Sequence, residues 1–102
     1  MTRYKVIVSD LAKTMLGAHI KFIAQINPSA ARDTKARLLA AIRSLSAMPE
    51  RFPFLDEEFV PRGKYRKMFV ERWYLLLYQI KEQTVYVDYI VDCRQDYGWL
   101  ID

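Results

Sequence analysis

A chain of 102 residues, 52% of them hydrophobic and 14% aromatic, can build one domain over residues 1–102 with its own core, which excludes a disordered chain. One cysteine, Cys93, and one histidine, His19, exclude an internal disulfide and a Cys/His metal cluster, so no cofactor or metal is expected and a reducing cytoplasm is the expected setting. Sixteen Lys/Arg against twelve Asp/Glu leave a net charge of +4, which favours an acidic partner, and no apolar run approaches the roughly 18–20 residues of a membrane helix.

Met1–Lys5 leads straight into a short strand, Tyr4–Ser9, so no signal peptide is expected. From Asp10 to Ile26 the period changes to three and four. Leu11, Met15, Ala18, His19, Phe22 and Ile26 form the expected inner face of a helix, with Lys13, Gly17, Lys21 and Gln25 opposite. Ser9 or Asp10 suits its N-cap. Asn27-Pro28 closes this helix and opens a second, Asn27 as cap and Pro28 at the first helical position. The second helix is expected to run to about Ala47, with Ala31, Leu38, Ile42 and Leu45 inward, Leu39 flanking, and Arg32, Lys35, Arg37 and Arg43 outside. Two such helices with almost no linker predict an antiparallel hairpin.

Met48–Pro61 carries three prolines and reads as a loop, pinned by Phe52, Phe54 and Phe59. Then come three β-branched and aromatic runs, Lys64–Glu71, Trp73–Ile80 and Thr84–Asp92, which predict an antiparallel meander. The middle run is apolar on both faces and is expected to be central and covered on both. The fold class is therefore α+β, order βααβββ, a twisted antiparallel sheet packed against an N-terminal helical hairpin.

Arg66 is the most informative charge. It shares a strand face with Met68 and Val70, so its guanidinium either clamps a phosphate or carboxylate or pairs with Asp88, Asp92 or the acidic loop around Asp56-Glu57-Glu58. Arg94 and Tyr97, after the last strand, are the other catalytic candidates. A tyrosine needs a nearby cation to act as a base at neutral pH. The plainer alternative folds Tyr97, Trp99 and Leu100 back as a hydrophobic plug. The basic stretch Arg62, Lys64, Arg66, Lys67 and Arg72, joined by Arg94, is the candidate surface for a target or partner; as edge-strand charges these residues would also block aggregation. His19, between Met15 and Phe22, reads as structural, and Cys93 as a small buried apolar group.

The order βααβββ resembles the RelE/ParE superfamily, the small toxins of bacterial type II toxin–antitoxin systems, often described as plasmid stabilisation proteins. The likeness spans the whole chain. It is carried by Tyr65-Arg66-Lys67, by Trp73-Tyr74-Leu75-Leu76-Leu77-Tyr78, by Leu45–Pro49 before the meander and by Arg94-Gln95-Asp96-Tyr97. It implies a cytoplasmic growth inhibitor, neutralised by a cognate antitoxin in a hetero-oligomer, with no membrane partner. Two activities follow from it. RelE-like members cleave messenger RNA on the ribosome with basic residues and a tyrosine; ParE-like members inhibit DNA gyrase.

This sequence departs from the RelE pattern. After Arg66 the alternate positions are Met68 and Val70, and Tyr74 is followed by Leu75 rather than arginine. Arg94 matches, whereas the tail tyrosine falls near Leu100 and Tyr97 is an unmatched neighbour. Losing one electrostatic donor costs on the order of 10²–10³ in rate, so the resemblance leans to ParE. A RelE-like nuclease and an attenuated antitoxin-binding relative are the alternatives.

Overall fold

The computed structural model describes residues 3–57 and 61–93. The elements are β1 (Lys5–Val8), α1 (Asp10–Ile26), α2 (Pro28–Ser44), a 3-10 turn (Pro49–Arg51), β2 (Arg66–Val70), β3 (Tyr74–Lys81) and β4 (Thr84–Asp92). The helical hairpin and the meander fall in the expected order, with α2 ending at Ser44 rather than near Ala47. The fold class is the expected α+β arrangement.

Ser9 caps α1: its Oγ accepts from the Ala12 amide at 3.0 Å and donates to the Asp88 carbonyl at 3.1 Å, tying the helix start to β4. Asn27 serves both helices. Its amide donates to the Ile23 carbonyl at 2.8 Å, and its Oδ1 accepts from the Ala30 amide at 3.1 Å. With Pro28 at the first helical position, the chain reverses without a spacer.

The sheet order is β1-β4-β3-β2. The meander β2-β3-β4 is antiparallel, as expected, and β1 adds to β4 in parallel, with Val6 opposite Val85. A register shift between Leu77 and Tyr78 makes Asp88 an extra residue in β4, a β-bulge. β3 does lie between two neighbours. The expectation of equal cover on both faces is corrected: Tyr74, Leu76 and Tyr78 are buried under the helices, while Leu75 and Leu77 are only half-buried and Trp73 is exposed.

The core joins Ala12 of α1 and Leu38, Ile42 and Leu45 of α2 to Tyr74, Leu76, Tyr78, Val85, Val87 and Ile90 of the sheet. The expected stripe of α2 is buried as predicted. That of α1 is rotated. Ala12 is its buried residue and Met15, Leu16, Ile20 and Ile23 pack against the core, whereas Leu11 and Ile26 are 53% and 66% exposed and Ala18 is exposed. The Ser9 cap bonded to β4 sets this angle, so α1 presents the edge of its apolar arc that begins at Ala12. Among the described residues no helix is long and apolar enough to cross a membrane.

Candidate functional site

The turn after α2 gathers backbone carbonyls that α-helix and sheet leave unpaired. Met48 enters it with φ 48°, and Pro49, Glu50 and Arg51 follow as one turn of 3-10 helix. Three side chains collect the carbonyls. The Tyr78 hydroxyl donates to Pro49 at 2.6 Å, and Arg66 Nη1 donates to Glu50 at 3.0 Å and to Phe52 at 2.7 Å. Arg51 Nη1 donates to the carbonyls of Ala47 and Met48. Arg66 and Tyr78 are direct partners across β2 and β3, so one rung of the sheet holds the whole turn.

Among the described residues Arg66 makes no ion pair with Asp56, Glu57, Asp88 or Asp92. Its hydrogen bonds go to main-chain oxygens, and its guanidinium lies 4.0 Å from the centre of the Phe54 ring. It faces the helix side at the sheet rim. Beside it, Tyr4, Glu50, Lys64 and Gln79 help line a hollow of about 250 Å³. The Tyr4 hydroxyl donates to Glu50 at 3.0 Å, which pushes the Tyr4 phenol above its ordinary range.

The other predicted cations do not converge on Arg66. Lys67 points to the opposite, open face of the sheet, and Lys64 lies 5.4 Å from the Tyr65 ring centre. Arg62 lines a separate hollow with Phe54 and Asp56. Arg72 sits in the β2–β3 turn, at the far end of β2 from Arg66. Among the described residues the single salt bridge joins Arg37 to Glu71 at 3.2 Å, so Arg62, Lys64, Lys67 and Arg72 carry charge not neutralised by an ion pair there. Arg94 and Tyr97, with Trp99, Leu100 and Phe59, lie outside the described residues.

The open face holds a cluster that sequence patterning misses. The bulge turns both Asp88 and Tyr89 to this side, where Gln79 Nε2 donates to Asp88 at 2.6 Å and the Tyr65 phenol lies within reach of the Asp88 charge. The Tyr65 and Tyr89 rings meet edge-on at 5.8 Å. Burial, then the Asp88 charge, pushes the Tyr65 phenol up to about 12. Burial raises Tyr78 to about 12 as well, against the opposing pull of Arg66 and Arg51. Strict alternation would have put Asp88 and Tyr89 on opposite faces, and only the register shift reveals the group.

His19 is structural, as expected. Its Nε2 lies 2.7 Å from the Ile90 carbonyl and its ring 5.6 Å from that of Tyr74. Cys93 is a correction: the residue is exposed, because its amide closes the sheet by donating to the Trp73 carbonyl at 2.7 Å, just past the end of β4. Partial burial of the sulfur, then Asp92, still holds its thiol above the ordinary value. Among the described residues no group of three His, Cys, Asp or Glu could hold a metal ion.

No curated protein shows significant similarity to the chain. A solved structure titled "Chromosomal ParDE TA system from P. aeruginosa" matches with a TM-score of 0.75 at 17% identity, covering 90% of this chain and 98% of that one. At that identity it speaks for the fold alone. The model of the family described as "ParE toxin of type II toxin-antitoxin system, parDE" matches residues 6–97.

Proposed function

As this chain belongs to the ParE toxin family, the toxin components of type II toxin–antitoxin systems, we propose that it arrests growth by binding a macromolecular target rather than by cutting RNA. DNA gyrase is the first target to test, on the strength of the family. The observation that carries the choice is Arg66. Its Nη1 is committed to the Glu50 and Phe52 carbonyls on the helix side of the sheet, where it locks a turn instead of facing the open surface. Two phenols on either face of the sheet beside Arg66 support the same reading. Tyr65 and Tyr78, raised to about 12, stay protonated near neutral pH and make poor general bases.

A cognate antitoxin would neutralise this charge from outside. A flexible acidic segment that orders on binding suits Arg62, Lys64, Lys67 and Arg72, which form no ion pair among the described residues, with Arg94 continuing the series in sequence. Charge reversal of Lys64 and Lys67 should weaken that complex in a salt-dependent way.

Induced expression without antitoxin tests the mode of action. Loss of supercoiling with DNA breaks and intact transcripts is expected. Codon-specific cuts in translated messages would overturn the binding reading in favour of a RelE-like nuclease, and unimpaired growth would mark an attenuated relative.

A further inference from the structure

The tip of the helical hairpin and the β2–β3 turn leave between them a cleft of about 320 Å³, at the small end of the range that holds compact organic ligands. Ile23 of α1, Ala30 of α2 and Trp73 of the turn supply apolar walls, and Thr34, Arg37 and Glu71 bring polar groups. Two of the lining residues, Ile26 and Trp73, are large apolar groups that the fold leaves exposed. Arg37 and Glu71 meet from opposite walls in the ion pair at 3.2 Å. That pair is loose. Its side chains are 60% and 43% exposed, and its distance exceeds the roughly 2.7–2.9 Å of a strong charge-assisted bond. It uses one N–H of a guanidinium fork, and Arg37 makes no second hydrogen bond among the described residues. Glu71 reaches it from left-handed backbone, φ 57°, a conformation that costs energy and clusters at ligand clamps.

We propose that this cleft binds a small aromatic carboxylate. The ring rests against Ile23, Ala30 and Trp73, and the carboxylate takes the guanidinium fork of Arg37 in place of Glu71. Thr34 lies one helical turn before Arg37 on the same wall, where its hydroxyl can donate to the bound carboxylate. Charge selects an acid over an amine. Arg37, and Arg72 beside Glu71 in the turn, set two cations against one carboxylate in a chain of net charge +4. Walls from three elements, joined by a side-chain pair, suit a small molecule better than a length of polypeptide. Such a site stands whichever target the toxin takes.

The probe is 2-naphthoate, titrated into the full chain carrying Trp99→Phe, in which Trp73 is the one tryptophan left. Calorimetry reads the affinity, and the Trp73 indole N–H resonance reads the place. Saturable binding that shifts this resonance is expected, with 2-naphthylmethylamine at least about tenfold weaker. Arg37→Gln should weaken naphthoate binding at least about tenfold and remove the preference for acid over amine. Glu71→Gln breaks the same ion pair yet should tighten binding, because it removes the competing carboxylate. Ala30→Leu fills the cleft with a good helix former and should also weaken binding about tenfold. Should that variant fail to fold by circular dichroism, Thr34→Leu takes its place with the same loss expected. Absence of saturable binding would overturn the proposal, as would an amine bound as tightly as the acid or a Trp73 resonance that does not move. So would Glu71→Gln weakening binding as Arg37→Gln does, or affinity indifferent to the filled cleft.

Discussion

Arg66 and Tyr78 approach the Pro49–Phe52 turn from neighbouring strands and satisfy three of its carbonyls between them. Removing one partner of a buried hydrogen bond leaves the other desolvated and unpaired, and that loss exceeds the net value of the bond. Tyr78→Phe is expected to lower unfolding free energy by about 1–3 kcal/mol. Arg66→Ala abandons two charge-assisted bonds and is expected to lose about 2–3 kcal/mol. Denaturant titration of both checks this, and Arg66→Ala with full stability would return Arg66 to the pool of surface cations. Nothing in the sequence near Arg66 announces this role. A guanidinium on an apolar strand face demands a partner, yet which oxygen it finds depends on a turn that folds over it from sixteen residues upstream.

At the scale of elements, the hairpin was legible because its punctuation is local: Ser9 and Asn27 cap, Pro28 starts, and periodicity fills the rest. The facing angle of α1 was not. Leu11 and Ile26 fit the helical period as well as Leu16 and Ile20 do, and only docking on β4 decides between them. Cys93 and the Asp88 cluster escaped for the same reason, since a strand end and a bulge are matters of register. The β2–β3 turn carries a further feature no pattern shows. Glu71 and Arg72 both have positive φ, 57° and 69°, where a side chain costs roughly 1–2 kcal/mol relative to the right-handed region. Arg72→Gly should raise stability by about 1 kcal/mol, read from the thermal midpoint. If growth arrest weakens while the midpoint rises, Arg72 acts as a contact and not as a support. Gly17→Ala should likewise gain up to about 1 kcal/mol, because helix propensity improves and no contact is crowded.

For the molecule as a whole, tyrosine ionisation sets the alkaline limit. Tyr65 and Tyr78 titrate near pH 12 in the folded chain against an ordinary value of 10.0. Above pH 10 the unfolded chain therefore releases protons that the native one holds. Their contribution is full below that point and is lost as pH rises through about 12. Thermal midpoints measured from neutral to strongly alkaline buffer should fall most steeply across that window. The fall should be shallower in Tyr78→Phe once its lower starting stability is allowed for.

The parallel pairing of β1 with β4 joins the first and last strands of the sheet across both helices and the meander, Lys5 to Thr84 and Val8 to Val87. During synthesis the first strand thus waits for the last, and the two helices emerge with no sheet to cover. A ribosome stalled before β4 would carry a fragment lacking both the central partner of β3 and the anchor of the N-terminus. Closure of the sheet is in this way deferred until β4 has been made, because β4 alone touches both β1 and β3.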